Sequence, residues 1–320
     1  MINVAVVGFG NLGKSVVNSV NANEDLNLFG VFSRRKIENE NVKHFLLDEI
    51  NNFKDDIDVL ILCGSSDKDI EVQGPELIKN FNTVDCFDTH SHVPEYYKNM
   101  DDLAKENNKT AIISTGWDPG FFSVMRTLNQ AFLPDSNTYT IWGKGISQGH
   151  GAAVRSVEGV LDAVQYTIPK EEFLEKVRNG ENPEYSPEIA HDREVFAVLK
   201  EGANKEEVEK NIINMPAYFK GYNTTVHFIT LEELNKNHKG MPHGGKVITT
   251  GITAGNSNAK IEFSLDLDSN PDFTAQIATA YARACFRLNK EKNFGAKTVL
   301  DIAPKYLSKL NNEELLHHNI

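Results

Sequence analysis

The sequence predicts an α/β protein: a Rossmann-type doubly wound parallel sheet, plus a second α+β domain with a mixed or antiparallel sheet. Two observations carry this. Over the first 115 residues, short continuously apolar runs alternate with polar helical stretches, the pattern of parallel strands covered by helices on both faces. After about residue 118 the runs lengthen and alternate, so that in "KIEFSLDL" (260–267) Ile261, Phe263, Leu265 and Leu267 share one face, as in a sheet with one covered side.

The elements follow in order. "INVAVV" (2–7), "LNLFGVF" (26–32), "DVLILC" (58–63), "NTVDCF" (82–87) and "TAIIST" (110–115) are the parallel strands. Between them, "NLGKSVVNSV" (11–20) and "PEYYKNMDDLAKEN" (94–107) have helical apolar spacing. Later come two charged helices, "KEEFLEKVRNG" (170–180) and "NKEEVEKNIINM" (204–215), then a long helix from "FTAQIATAYARACFRLNK" (273–290), and "KTVLDIA" (297–303) as a last strand or helix start. At 320 residues the chain is long enough for two domains. The expected division is a dinucleotide-binding domain over 1–118, with the segment from about 271–320 packing back on it, and a substrate-binding and dimerisation domain over 119–270.

Composition limits the function. Forty-five acidic against 33 basic residues give a net charge of −12, which argues against nucleic-acid binding, since phosphate contacts need a basic surface. The first residues lack the basic stretch and apolar core of a signal peptide, and no apolar run reaches the roughly 20 residues of a membrane span. The expectation is a cytoplasmic protein without a membrane partner. Cys63, Cys86 and Cys285 are scattered and lack zinc spacing, so no metal is expected and the thiols read as core or cleft-wall residues.

"VAVVGFGNLG" (4–13) ends an apolar strand in Gly8, Gly10 and Gly13 and opens a helix. That context is the dinucleotide fingerprint: the glycines allow a tight turn and close backbone approach, and the helix N-terminus offers N–H groups to a pyrophosphate. At the end of the second strand an NAD site would carry an acid for the ribose 2′-hydroxyl. Ser33, Arg34 and Arg35 stand there instead, a hydroxyl and two guanidiniums suited to a 2′-phosphate, which predicts NADP. The plainer alternative is two solvated surface arginines.

Ligands of doubly wound sheets gather beyond the carboxyl ends of the strands. Asp88 in "CFDTHSH" and Asp118 in "STGWDPG" stand there, and two carboxylates beside a nicotinamide suit a cationic amine. Asp118, before Pro119 and Gly120, also fits a plain turn role. In the second half, glycines flank His150 and His243 and would leave backbone open for a close-fitting ligand, although a lone histidine is more often structural.

Together "VGFGNLGKSV", "FSRR", "VDCFDTH", "STGWDPGFFS", "WGKGISQGHG", "QYT", "MPHGGKVITTG" and "LDSNPDFTA" resemble the meso-diaminopimelate dehydrogenase family, in the same order and over nearly the whole chain. The resemblance implies an NADP-dependent oxidoreductase of lysine biosynthesis, acting on the D-centre of meso-2,6-diaminopimelate to give L-2-amino-6-oxopimelate and ammonia, reversibly, as a homodimer. It implies that Asp88 and Asp118 face the reacting amine and that Trp142 walls the site. Thr167, Arg193 and His243 would bind carboxylate, Asn270 the distal L-centre, and Ser147, Gln148, Gly149 and His150 would line the pocket. Asp118 and His150 are both open as general base, so the catalytic set is Asp88, Asp118 and His150. The expected cofactor contacts run through Gly8, Gly10, Asn11, Leu12, Gly13, Ser33, Arg34, Arg35, Cys63, Gly64, Ser65, Ser66, Asp88, Thr89, Trp117, Asp118, Pro119 and Gly120.

One stretch departs from the family pattern: "CGSSDKD" (63–69) places Asp67 and Lys68 near the cofactor loop. Two other functions compete, a broader NADP-dependent D-amino acid dehydrogenase and a non-catalytic NADP sensor. The first differs in pocket width, and the second needs neither rim acids nor carboxylate binders.

Overall fold

Strand β1 (Ile2–Val7) buries five of its six residues and sends them alternately to two cores. Val4 and Val6 pack with Val16 and Val20 of the first helix (Asn11–Asn21), while Ala5 and Val7 pack with Ile78, Phe81 and Met100 on the opposite face. The computed structural model describes residues 1–37 and 41–320, all but the side chains of Asp67 and Gln148. The described chain divides into two units, Met1–Val124 with Pro271–Ile320, and Met125–Asn270.

The first unit holds a seven-stranded parallel sheet. Its strands are β1, β2 (Leu26–Ser33), β3 (His44–Leu46), β4 (Val59–Leu62), β5 (Asn82–Asp85), β6 (Thr110–Ile112) and a final strand Gly295–Lys297. Their order is Gly295–Lys297, β6, β5, β4, β1, β2, β3. The direction of winding reverses between β1 and β4, the switch point at which such sheets bind ligands. The long helix Asn270–Lys290 contributes Ala275, Ala278, Ala282, Cys285 and Leu288 to the first core. Arg283, 3% exposed, ties that helix to the turn before β2 through bonds to Asp25 and Asn23.

Several boundaries differ from the sequence expectation, each for a local reason. β6 stops at Ile112 rather than residue 115, because Ser114 turns left-handed with φ +56°. β5 stops at Asp85, whose side chain bonds the Phe87 N–H and turns the chain out of the sheet. "KTVLDIA" is a strand only through Lys297, after which Thr298 caps a short turn over Val299–Asp301.

The second unit has two sheets. A mixed one orders β11 (Thr224–Phe228), β10 (His191–Leu199), β9 (Val160–Pro169) and β8 (Gly145–Ile146), with only β10 and β11 parallel. An antiparallel one orders β13 (Asn258–Leu267), β12 (His243–Ile252) and β7 (Ser136–Trp142). The fold is therefore a Rossmann-type α/β unit joined to an α+β unit. Among the described residues, no helix is long and apolar enough to cross a membrane.

Candidate functional site

In the first unit, the turn after β1 fits a dinucleotide. Gly8 takes φ +96°, and a Cβ on Gly13 would stand 2.1 Å from the Gly8 carbonyl oxygen, so helix and turn approach as only glycine permits. A Cβ on Gly10 would meet nothing within 4 Å, and no side chain caps the helix there. An uncapped helix start beside open space is what a pyrophosphate requires. The adjoining cavity of about 850 Å³ is lined by Gly8, Gly10, Ser33, Arg34, Arg35, Cys63, Gly64 and Ser65 among others. Asn11, Leu12 and Gly13 form the first turn of the helix behind it.

Ser33 is fixed by its bond to the Arg35 carbonyl and by His44 Nε2 at 2.9 Å, leaving the arginine side chains to the pocket. The residues present thus suit NADP: an uncapped helix start for the pyrophosphate and two guanidiniums beside the second strand. The loop over 63–69 adds an acid that the sequence expectation did not assign. Asp69 Oδ2 accepts from the Ser65 N–H and hydroxyl, each at 3.0 Å, and Oδ1 faces Arg34 Nη2 at 2.9 Å. Burial opposes the charge on Asp69, but the Ser65 bonds and the Arg34 charge hold its carboxyl below the usual range. Lys68 is exposed, and the side chain of Asp67 lies outside the described residues. The Cys63 thiol is buried and held neutral by that burial.

The two rim acids follow β5 and β6. Asp88 is exposed, and its N–H donates to Ser66 Oγ at 3.1 Å; Thr89 follows it. Asp118 is half-buried in a turn closed by bonds from Phe121 N to Gly116 O (3.0 Å) and from Phe122 N to Trp117 O (2.7 Å). Gly120 is obligatory there, because with φ +134° a Cβ would fall 1.6 Å from Gly116 O. Pro119 precedes it, and the buried Trp117 ring sets its edge toward Phe122 at 5.1 Å between centroids.

The second unit places two of the proposed carboxylate binders, Thr167 and Arg193, at one end of its mixed sheet, and sets His243 of β12 against Gly145 of β8. Cross-strand register pairs Gly145 with Thr167 and Thr167 with Arg193. Arg193, 8% exposed, donates to Thr167 Oγ1 and lies over the Tyr222 ring at 4.2 Å. His243 packs on Gly145, where a Cβ would be 2.6 Å from the imidazole. Asn270 is tied nearby through its N–H to Met241 O at 2.8 Å. Trp142 donates its N–H to His191 Nε2 at 3.1 Å, while His191 Nδ1 donates to Pro187 O, which fixes the tautomer.

Ser147 Oγ and His150 Nδ1 are 2.7 Å apart. Burial, followed by the charge of Arg193, pulls the His150 pKa down to about 4, so the imidazole is neutral near pH 7. The open backbone expected around these histidines holds at Gly149, where a Cβ meets nothing within 4 Å. It does not hold at Gly244, whose Cβ would lie 2.1 Å from Leu265 O: that glycine serves strand packing. The side chain of Gln148, expected to line the pocket, lies outside the described residues. Sequence reasoning missed Tyr222, His191, His44, Asp69 and Asp85; of these only Asp85, an acid inside an apolar strand, carries a signal in the sequence itself.

The family model of the diaminopimelic acid dehydrogenase C-terminal domain matches residues 116–269. The chain is 52% identical to the meso-diaminopimelate D-dehydrogenase of Acetivibrio thermocellus over 98% of this chain and 96% of the relative. Among solved structures it is similar to a mutant meso-DAP dehydrogenase of Clostridium tetani E88 with DAP (43% identity, TM-score 0.94, 100% of both chains covered). It is also similar to an engineered D-amino acid dehydrogenase bound to NADP+ (40% identity, TM-score 0.86, covering 100% of this chain and 99% of that one). The six residues replaced in the Clostridium tetani protein are Gln, Thr, Arg, Pro, His and Asn, and their order and intervals recur here as Gln148, Thr167, Arg193, Pro242, His243 and Asn270. With this identity over nearly the full length of both chains, the chain belongs to the meso-diaminopimelate D-dehydrogenase family.

Proposed function

We propose that the protein catalyses the reversible NADP-dependent oxidative deamination of the D-centre of meso-2,6-diaminopimelate to L-2-amino-6-oxopimelate and ammonia, in lysine biosynthesis. The observation that carries this reading is Arg193, buried, stacked on Tyr222 and bonded to Thr167, with His243 backed by Gly145. A guanidinium fixed in this way is a carboxylate receptor with its ordering cost already met.

Bound NADP supplies the hydride acceptor. The protein's own groups do the remainder. Arg193, Thr167 and His243 hold carboxylate, with Asn270 at the distal centre and Trp142, Ser147, Gln148, Gly149 and His150 lining the pocket. Asp88 and Asp118 take the ammonium of the reacting carbon; one of its protons passes to a carboxylate or to water, and the two acids stabilise the positive iminium that forms as hydride leaves the neutral amine. Water then adds to that carbon and ammonia departs. Loss of a proton from the water needs a base, and Asp118 or neutral His150 fills that role. Alignment of the reacting carbon against the acceptor is worth roughly 7–11 kcal/mol in a well-fixed site.

The dinucleotide-binding role belongs to the first unit and the substrate-binding role to the second. The protein acts as a homodimer, a reading supported by Ile261, Phe263, Leu265 and Leu267 of β13, apolar residues left half-buried in the single chain. It acts in the cytoplasm, where its pyridine nucleotide and amino acid are found.

The experiment is absorbance at 340 nm with NADP or NAD and with meso- or LL-diaminopimelate, alongside light scattering for the oligomer. Reduction confined to NADP and the meso isomer is expected. Turnover of simple D-amino acids without diaminopimelate would instead favour a broader D-amino acid dehydrogenase, the second reading supported by the 40% identical engineered enzyme.

A further inference from the structure

One buried carboxylate ties together the two loops that carry the proposed amine contacts. Asp85 ends β5 and is 0% exposed. Its Oδ1 accepts from the N–H groups of Phe87 at 3.0 Å and Ser114 at 3.1 Å, and its Oδ2 from the Tyr96 hydroxyl at 2.8 Å. Its backbone carbonyl accepts from both the N–H and the hydroxyl of Thr115, each at 2.9 Å. Phe87 directly precedes Asp88, and Ser114 and Thr115 lead through Gly116 and Trp117 to Asp118.

The geometry is specific to this arrangement. Ser114 adopts φ +56°, a conformation that serine rarely takes, and its N–H points to Asp85. The Asp88 loop is held from its other side by Ser66 Oγ. A buried carboxylate is costly where an apolar residue would fill the same volume, so its retention calls for a role that packing does not supply. Three donors converge on it, two of them from the loops of interest, and it reaches the rim only through them.

We infer that Asp85 is a positioning residue for the deamination, setting the relative placement of Asp88 and Asp118. The inference rests on the amine-contact reading above and adds the element that holds those contacts in register. Asp85 itself touches neither substrate nor cofactor.

Three substitutions separate position from charge. Asp85→Asn keeps the acceptor in place and removes the charge, Asp85→Glu keeps the charge and displaces it by one methylene, and Asp85→Ala removes both. Expected is a kcat within about threefold of wild type for Asn, and a fall of about thirtyfold or more for Glu and Ala, since small misplacements are costly in an oriented site. NADP affinity, read by calorimetry, should stay within about threefold for Asn and fall less than kcat does for Glu and Ala, because the first turn and the arginines that also hold the nucleotide are untouched. Tyr96→Phe leaves both loop bonds intact and should also keep kcat within about threefold. An inactive but folded Asn variant, a fully active Glu variant, or a collapse in Tyr96→Phe would each overturn the assignment, whether or not the Ala variant folds. Asp88→Ala and Asp118→Ala run in parallel: full activity in both would overturn the amine contacts themselves, while their loss beside an unaffected Asp85 series would overturn only the positioning role.

Discussion

Asp69 Oδ1 lies 2.9 Å from Arg34 Nη2, so the pocket with the arginines expected to read a 2′-phosphate also holds an acid. The pair uses one nitrogen of the guanidinium, and the Arg34 side chain is 70% exposed. An ion pair so exposed is worth no more than about 1 kcal/mol. Asp69→Asn should therefore change NADP affinity by less than about fivefold. Arg34→Ala with Arg35→Ala should weaken NADP by roughly a hundredfold, the loss of about two charge-assisted bonds, and leave NAD unchanged. Calorimetric titration with both nucleotides decides it, and an unchanged NADP preference in the double variant would remove the arginines from cofactor recognition.

The glycines of the first turn should divide by what surrounds them. Gly10→Ala meets no neighbour within 4 Å and sits at an ordinary φ of −74°, so stability should move by less than about 1 kcal/mol. The space it fills is that claimed for the pyrophosphate, and NADP affinity should fall at least about tenfold. Gly13→Ala places its Cβ against the Gly8 carbonyl and should cost about 2 kcal/mol or more. Urea denaturation and nucleotide titration of both variants test the contrast; equal stability losses would mean that both positions serve packing alone.

Much of this arrangement was legible in the sequence because it is local. A buried strand announces itself by a continuous apolar run, and β1, β2 and β4 each supply one. In the first sheet, His44–Leu46 went unseen and Gly295–Lys297 was expected two residues late, because three residues are too few to show a period. In the second unit β7, β9, β10, β11 and β12 went unnamed, their polar and glycine residues breaking a plain alternation. Residues whose role depends on distant partners were also invisible: Tyr222 matters only because β10 brings Arg193 beneath it, and Asp69 only because its loop folds onto the end of β2. Parallel pairing of β10 with β11 likewise comes from the long connection between them, which no periodicity records.

Asp85 also makes a prediction about stability. Burial, opposed by bonds from Phe87, Tyr96 and Ser114, pushes its pKa up to about 6. A carboxyl near 4 when unfolded and near 6 when folded favours the folded state below pH 4 and loses that contribution as pH rises through 6, a swing of about 3 kcal/mol. The neighbouring Tyr96 and Cys86 are both held neutral by burial and do not titrate in this window. Asp85→Asn should therefore gain on wild type between pH 4 and pH 8, reaching a few kcal/mol less whatever its altered bonds cost. Paired denaturation curves at the two pH values measure it, and a difference independent of pH would count against an ionising Asp85.

His150 offers the opposite sign. Its pKa of about 4 arises first from burial and then from Arg193, so folding favours the neutral imidazole. The stability it contributes is present above its unfolded value near 6.5 and is lost as pH falls through 4. Because burial is the larger cause, Arg193→Met should raise the pKa only part of the way back toward 6.5. Proton chemical shifts of His150 across pH 3–8, compared between wild type and the variant, read this directly. A wild-type value near 6.5 would mean that neither burial nor Arg193 acts on the imidazole, and would overturn this account of its environment. A value near 4 that moves upward in Arg193→Met puts both side chains in one electrostatic neighbourhood, where a substrate carboxylate on Arg193 would screen that charge and raise the basicity of His150.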